Sequence, residues 1–486
     1  MRVAIAYPPL PSDKGVPLLS QNRQFQWFHA PTFIYPVVPA CAATLAANAG
    51  HGVLWLDGIA EQLTPETFDA RLTAFAPDVV MVETKTPVVK AHWKILARLK
   101  TLLPQTRLVL VGDHVTAMPG ESFENSPVDF ILTGGDYDFL LANLLRHLEK
   151  NEPLEPGVWF RDASGALQNT GPFQLDHDLR ALPRIDRGLT QWRLYAEKNG
   201  NFRRLPGTYT MAGRDCWHGR CTFCSWTTLY PKFRAREPLD VVEEIGGLIG
   251  LGVREIMDDT GCFPAGAWLA EFCNLMIERG YNTRVRLDCN MRFGRLTLDD
   301  YKLMRKAGFR FVLFGLESAN QATLDRLDKA LTVQQIRDGA RWASQAGLDV
   351  HVTVMLGYPW ETREDVAHTV CLARTLLRKG HAYTLQVTQV IPYPGTPLFR
   401  ECRENGLLLT EDWDAYDMRG PVMRSPLSAC ETQAAIRSIY RAFLHPETLL
   451  RRLFSTRHPL DDLRFYWRGL KSLLGHLRDF GGRAGR

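Results

Sequence analysis

The sequence predicts an α/β protein built from two parallel-sheet units: a doubly wound, Rossmann-like N-terminal domain, then a partial (β/α)6 barrel, then a helical C-terminal tail. Three observations lead there. Short apolar strands alternate with helical stretches twice, over residues 1–150 and again over 206–410. A turn-rich interval, 151–205, separates the two runs. The polar and glycine motifs of both runs fall just after strands, the rim where ligands of parallel sheets and barrels bind.

In order along the chain, RVAIAYPP from Arg2 reads as a strand running into a Pro-rich loop. VVPACAATLAANAGHG reads as a helix closed by Gly50, and VLWLDG as the next strand. PDVVMVETKT is a buried strand, HWKILARLKTLLP a helix and RLVLVGDHV a strand. VDFILTGG is another strand, followed by a helix through LLANLLRHLEK. Strands this apolar need cover on both faces, which means a parallel sheet between helices. Residues 151–205 read as a linker with one hairpin, VWFRDASGALQ.

The second run opens with TYTMAG. It continues through five helix–strand pairs whose strands are VREIMDD, TRVRLDCN, FRFVLFGLES, LDVHVTVMLGYP and YTLQVTQVIPYPG. The tail, 411–486, reads as helical, aromatic and basic.

At 486 residues the chain has room for two or three cores. No apolar run approaches the ~18 residues that cross a bilayer. The start lacks the apolar core and cleavage site of a secretory signal, so an intracellular protein is expected. From Arg441 onward ten Lys/Arg face four Asp/Glu, a balance of +6 against +5 for the whole chain. The remainder is therefore close to neutral and offers nothing for nucleic acid. Of ten cysteines, seven (Cys41, Cys262, Cys273, Cys289, Cys371, Cys402 and Cys430) are scattered and expected to be buried small hydrophobes.

The other three, Cys216, Cys221 and Cys224, stand within nine residues in GRDCWHGRCTFCSWTTLYP. Three thiolates are one fewer than a closed four-thiolate site needs, and a centre with an open position is usually reactive. Spacing alone admits either an iron–sulfur cluster or a structural zinc with His218 or a distant cysteine as fourth ligand.

The loop resembles that of the radical S-adenosylmethionine (SAM) enzymes, whose usual form is Cys-x3-Cys-x2-Cys with an aromatic before the third cysteine. Here Phe223 is that aromatic, and the first gap holds four residues. Further segments in the family's order extend the resemblance over about 205–410: MDDT at the second strand's end, FGLES (Phe314–Ser318), LGYPWET from Leu356 and QVIPYPGTPLF from Gln389. The resemblance implies that Cys216, Cys221 and Cys224 hold a [4Fe-4S] cluster. It implies SAM contacts at Phe223, Asp258, Asp259, Arg292, Gly315, Glu317, Ser318 and Gly357. Asp259 and Glu317 could otherwise cap helix N-termini, and Arg292 could lie on the surface.

The first domain resembles the cobalamin-binding domain that often precedes this barrel. The matching pieces are AYPP (Ala6–Pro9), ETKT (Glu83–Thr86), VGDHVT (Val111–Thr116) and LTGG (Leu132–Gly135), with Asp136 following. They imply cobalamin contacts at Thr84, Thr86, Gly112, His114, Thr116, Gly134 and Gly135. Small residues at these strand ends are expected to make room for the nucleotide tail or the corrin edge. The cobalt-ligating motif Asp-x-His-x-x-Gly is absent after the first strand, so His114 is expected beside the cofactor or in the core rather than on the metal.

The family resemblance therefore implies a cobalamin-dependent radical SAM enzyme, with domains at 1–150 (cobalamin), 151–205 (linker), 206–410 (radical SAM barrel) and 411–486 (basic helical region). The expected reaction is methylation of an unactivated carbon in a small-molecule or lipid-like substrate, with a cyclase or oxidative rearrangement as alternative. A methylthiotransferase or a zinc-stabilised binding module fits less. An external electron donor such as flavodoxin or ferredoxin is expected, and no nucleic acid. The tail, with Phe465, Tyr466 and Trp467 between Arg464 and Arg468, is expected either to cap the barrel or to touch an anionic membrane or lipid-like substrate.

Overall fold

The computed structural model describes residues 1–19 and 25–447. The first sheet contains β1 (Arg2–Tyr7), β4 (Gly52–Asp57), β5 (Val79–Glu83), β6 (Arg107–Val111), β7 (Phe130–Leu132), β8 (Val158–Arg161) and β9 (Leu167–Asn169), in the order β4-β1-β5-β6-β7-β8-β9. A separate small hairpin pairs β2 (Val16–Leu18) with β3 (Gln26–Phe28). The first five strands of the sheet are parallel, with Ala6 facing Leu56 on one side and Val82 on the other. Every residue of β5 is buried. That is why this sequence reads as an unbroken apolar run rather than an alternating one.

The interval 151–205 departs from a simple linker. Its hairpin, β8–β9, pairs antiparallel with β7 and so extends the first sheet. Thr133 fastens the junction, its backbone N–H and its hydroxyl both donating to Gly157 O at 2.9 and 2.7 Å. The rest of the interval buries Leu175, Trp192 and Tyr195 in the core that the two domains share.

The second sheet contains β10 (Gly207–Thr210), β13 (Glu255–Asp258), β14 (Arg286–Met291), β15 (Phe309–Glu317), β16 (Asp349–Leu356) and β17 (Thr384–Gln389) in sequence order, all parallel. This is the expected six-unit barrel, open between β10 and β17. The intervening helices start where side chains cap them: Thr297 with Asp300, Thr332 with Gln335 and Thr362 with Asp365 form reciprocal capping boxes. Beneath the barrel, Arg310 binds Glu255, Asp288 and Asp349 at 2.6–3.0 Å, tying four strands together at their amino ends.

The open side of the barrel is closed from elsewhere in the chain. Gln386 of β17 donates to Gln26 of β3 (3.2 Å), and Gln26 reaches the sulfur of Met418. Helix Ala429–Arg441 follows and lays Tyr440 against β17, its hydroxyl accepting from Val387 N. Segment 412–417 returns to the first domain through Lys14–Asp417 (2.6 Å), Lys90–Asp412 (2.8 Å) and Trp413–Glu121 (2.8 Å).

Of the basic tail, only its start is described; Arg464–Arg468 lie outside the described residues. Among the described residues no helix is long and apolar enough to cross a membrane. Five of the scattered cysteines are buried as expected, but Cys371 and Cys430 are exposed because they lie on outward faces of their helices.

Candidate functional site

The cysteine loop leaves β10 and is gathered at its neck by two very short strands, β11 (Gly213–Arg214) and β12 (Arg234–Ala235), paired antiparallel. Both arginines of this neck reach into the first domain. Arg214, fully buried, binds Asp138 at 2.6 Å and Asp136 at 3.1 Å, and Arg234 binds Asp136 at 2.7 Å. His177 joins at 3.0 Å from Asp136 and 2.9 Å from Glu155. Burial alone would raise the Asp136 carboxyl, but the His177 and Arg234 hydrogen bonds and the Arg214 charge hold it well below the usual carboxylate range.

Within the loop, Gly219 takes φ +61°, a left-handed turn that the four-residue first gap uses to double back. Cys216, Cys221 and Cys224 are half-buried and line one cavity of about 1480 Å³, counted to its open mouth. Among the described residues no three ligating side chains converge as a single ion would require. A cubane takes one thiolate per iron, so its cysteines stand farther apart than ligands of one ion. His218 is engaged elsewhere, its Nε2 2.5 Å from Asp328 O. The three thiolates on the cavity wall match a cubane that keeps one iron open, and a further thiol, Cys262, is buried beside Cys216.

Phe223, Asp259, Arg292, Gly315 and Glu317 line the same cavity, as the sequence suggested. Arg292 donates to Lys329 O and packs over Trp217 (5.4 Å). Its Nε and Nη1 are buried without a hydrogen-bond partner. Two such donors facing a cavity are costly unless an anionic or polar group is bound there.

Glu317 sits at a register shift in β15 with φ +62°, which turns its carboxylate back onto Lys329 Nζ at 3.0 Å. Lys329 also donates to Gly315 O at 3.1 Å. A side chain at position 315 would strike the Glu317 carboxylate, so the glycine of this segment serves the ion pair. Lys329 is the site residue that sequence reading missed. It stands in a loop after helix Gln321–Arg326, and no local pattern marks it.

Asp258, Ser318 and Gly357 do not line the cavity. Asp258 accepts from Ala212 N (2.8 Å) and Thr260 N (3.0 Å), shaping the turn after its strand, and burial pushes its carboxyl up to about 7. Ser318 is fully buried and donates to Glu361 (2.6 Å). Gly357 turns the chain at φ +102° near Gln389 and Ser425.

The strand-end residues of the first domain also hold one another. Thr84 pairs with His92 (2.7 Å) and Thr86 with His114 Nδ1 (3.2 Å). The other nitrogen of His114 meets Glu121 (3.2 Å), and its ring abuts Trp413, so both nitrogens are engaged within the protein. Thr116 donates to Gly112 O (2.7 Å) and accepts from Gly134 N (3.0 Å). The small residues Gly112, Gly134 and Gly135 were expected to make room for a cofactor. They instead sit against the Thr84 carbonyl and the rings of Phe173 and Tyr230, which occupy the space a side chain would take. None of these strand-end residues lines the cavity; Ile34, Tyr393 and Met418 do.

Comparison with known proteins matches residues 212–373 to the Radical SAM superfamily. The chain is 27% identical over 412 residues to an uncharacterized methyltransferase of Pyrococcus horikoshii, covering 83% of this chain and 87% of that one. It is 26% identical over 445 residues to the anaerobic magnesium-protoporphyrin IX monomethyl ester cyclase of Cereibacter sphaeroides, covering 88% and 68%. Among solved structures, the radical SAM methyltransferase TsrM of Kitasatospora setae, bound to cobalamin and a [4Fe-4S] cluster, superposes over 91% of this chain and 88% of its own. The TM-score is 0.67 at 16% identity, a likeness of fold. With its cysteine loop and six-strand barrel, the chain carries a radical SAM domain at residues 212–373, and over nine-tenths of its length it shares the fold of a cobalamin-bound radical SAM methyltransferase.

Proposed function

We propose that this protein is a cobalamin-dependent radical SAM enzyme that methylates an unactivated carbon of a small-molecule or lipid-like substrate. The observation that carries the reading is the shared cavity, which has three cysteines and the open guanidinium edge of Arg292 on its wall. When bound, the cluster and SAM supply a 5′-deoxyadenosyl radical and cobalamin supplies the methyl group. Cys216, Cys221 and Cys224 would hold the cluster. Arg292 would donate to the SAM carboxylate, and Asp259 and Glu317 would accept from its ammonium. Met257, Met291, Leu313 and Met355 give the cavity apolar walls that keep water from the radical. Ile34, Tyr393 and Met418 would back the corrin, and His114 is not its cobalt ligand.

A flavodoxin or ferredoxin would approach the cysteine loop, whose first gap carries the exposed Arg220 beside Asp328. The ten free cysteines, five of them buried, suit a reducing cytoplasm.

Anaerobic reconstitution tests the reading. About four irons and four sulfides per chain are expected, with a brown absorbance lost when the three cysteines become alanine, and with hydroxocobalamin retained on desalting. A colourless zinc protein overturns it. The cyclase relative favours a second reading, and product mass separates the two: methylation adds one CH2, whereas cyclisation does not.

A further inference from the structure

The cavity continues well below the cofactor rim. On β16 the alternating residues His351, Thr353 and Met355 face into it, as do Leu313 and Gly315 on β15 and Gln386 on β17. His351 lies five residues before the end of its strand, about 16 Å down at a rise of ~3.3 Å per residue. Of the four charged residues of the cavity, Asp259, Arg292 and Glu317 follow or end strands and Lys329 pairs with Glu317, so all four stand at the rim. Beneath the floor Arg310 binds Glu255, Asp288 and Asp349, and Arg203 also binds Asp349; Asp288 keeps one buried oxygen unpartnered, and burial pushes its carboxyl up toward the neutral form.

His351 is oriented by Thr384, whose hydroxyl is 2.8 Å from Nδ1, and by the ring of Phe311. Its Nε2 is buried and has no hydrogen-bond partner. Burial pushes the imidazole down to about 4, so it stays neutral at physiological pH. Beside it, Gln386 is held by a single hydrogen bond to Gln26.

We propose that this floor receives the substrate, with His351 Nε2 and Gln386 anchoring an uncharged hydrogen-bonding end group (hydroxyl, amide or carbonyl) of a molecule whose remaining body is apolar. The inference rests on the cavity being the radical site, and it adds the class of molecule that enters. A neutral imidazole and a carboxamide provide donors and acceptors but no charge to balance an ion, so carboxylates and ammonium groups would be desolvated there without compensation. The methionine and leucine walls above would hold the apolar body between the anchor and the rim.

Saturation-transfer NMR on the anaerobically reconstituted, SAM-loaded protein tests this with three probes of one chain length: hexan-1-ol, hexanoate and hexylammonium. The alcohol should bind in preference to both ions. Its binding should weaken about threefold to tenfold in His351→Phe and in Gln386→Leu, and recover in part in His351→Gln. Iron content and the melting transition show whether each variant is folded. Equal binding of all three probes overturns the proposal, as does unchanged alcohol binding in both folded variants. No saturation transfer from any probe to a protein that holds iron and SAM means that the floor holds only water; the inference then fails while the proposed function stands. A protein that takes up no iron removes both.

Discussion

At Arg292 the guanidinium keeps two buried N–H groups without a protein acceptor while a backbone carbonyl fixes the third side of the fork. Charge-assisted hydrogen bonds to a carboxylate contribute roughly 1.5–3 kcal/mol. Arg292→Ala should therefore weaken SAM binding about tenfold or more and leave iron content intact, measured by equilibrium dialysis and iron assay. Lys329 and Glu317 are each under a tenth exposed. Lys329→Met strands a buried carboxylate and should cost about 3–5 kcal/mol in denaturant unfolding. The double variant Lys329→Met/Glu317→Gln should recover much of that loss, because it removes both charges. Glu317 was legible as a strand-end carboxylate in Gly-Leu-Glu-Ser. Its partner was not, because pairing across twelve residues of helix and loop leaves no periodic trace. His351 was hidden for another reason: a histidine in mid-strand reads as ordinary alternation until the sheet shows which face is hollow.

At the level of elements, the strands of both runs were legible as short apolar segments, and the helix starts carry local signals as well. Thr297-x-x-Asp300 and Thr362-x-x-Asp365 announce the capping boxes that the structure forms. The two-residue ladder β11–β12 was illegible, since its halves flank the cysteine loop and neither has strand length. That ladder holds the loop against the acidic turn of the first domain. Asp138→Asn leaves Arg214 with a weakened partner in a fully buried position. Stability should fall by several kcal/mol, up to the ~3–5 typical of a broken buried pair. Reconstituted cluster should also be lost faster, followed as the decay of visible absorbance after desalting. The strand-end glycines of the first domain show the opposite failure: their positions were read correctly, but the rings that fill them come from residues 173 and 230, distant in sequence.

For the whole molecule, stability depends on pH. His177 bridges Asp136 of the first domain and Glu155 of the interval that extends its sheet. Burial lowers its pKa, but the two carboxylates outweigh this and carry it up to about 9. Because the folded value lies above the unfolded one of about 6.5, the contribution is complete below that pH and is lost as pH rises through 9. Unfolding free energy should decline by about 2–3 kcal/mol between pH 6.5 and 9.5, measured in urea. His177→Gln should flatten that slope. The closure of the barrel by Gln26, Met418 and segment 412–417 has a consequence for the order of synthesis. The cysteine loop leaves the ribosome roughly 200 residues before Met418, which at translation rates of 5–20 residues per second is about 10–40 s. During that interval the growing chain has its metal-binding thiols but not the segment that seals the barrel, whose last strand ends at Gln389, shortly before that segment. The growing chain thus offers a cluster-delivery machinery an open doorway, which a segment made after the barrel strands then shuts.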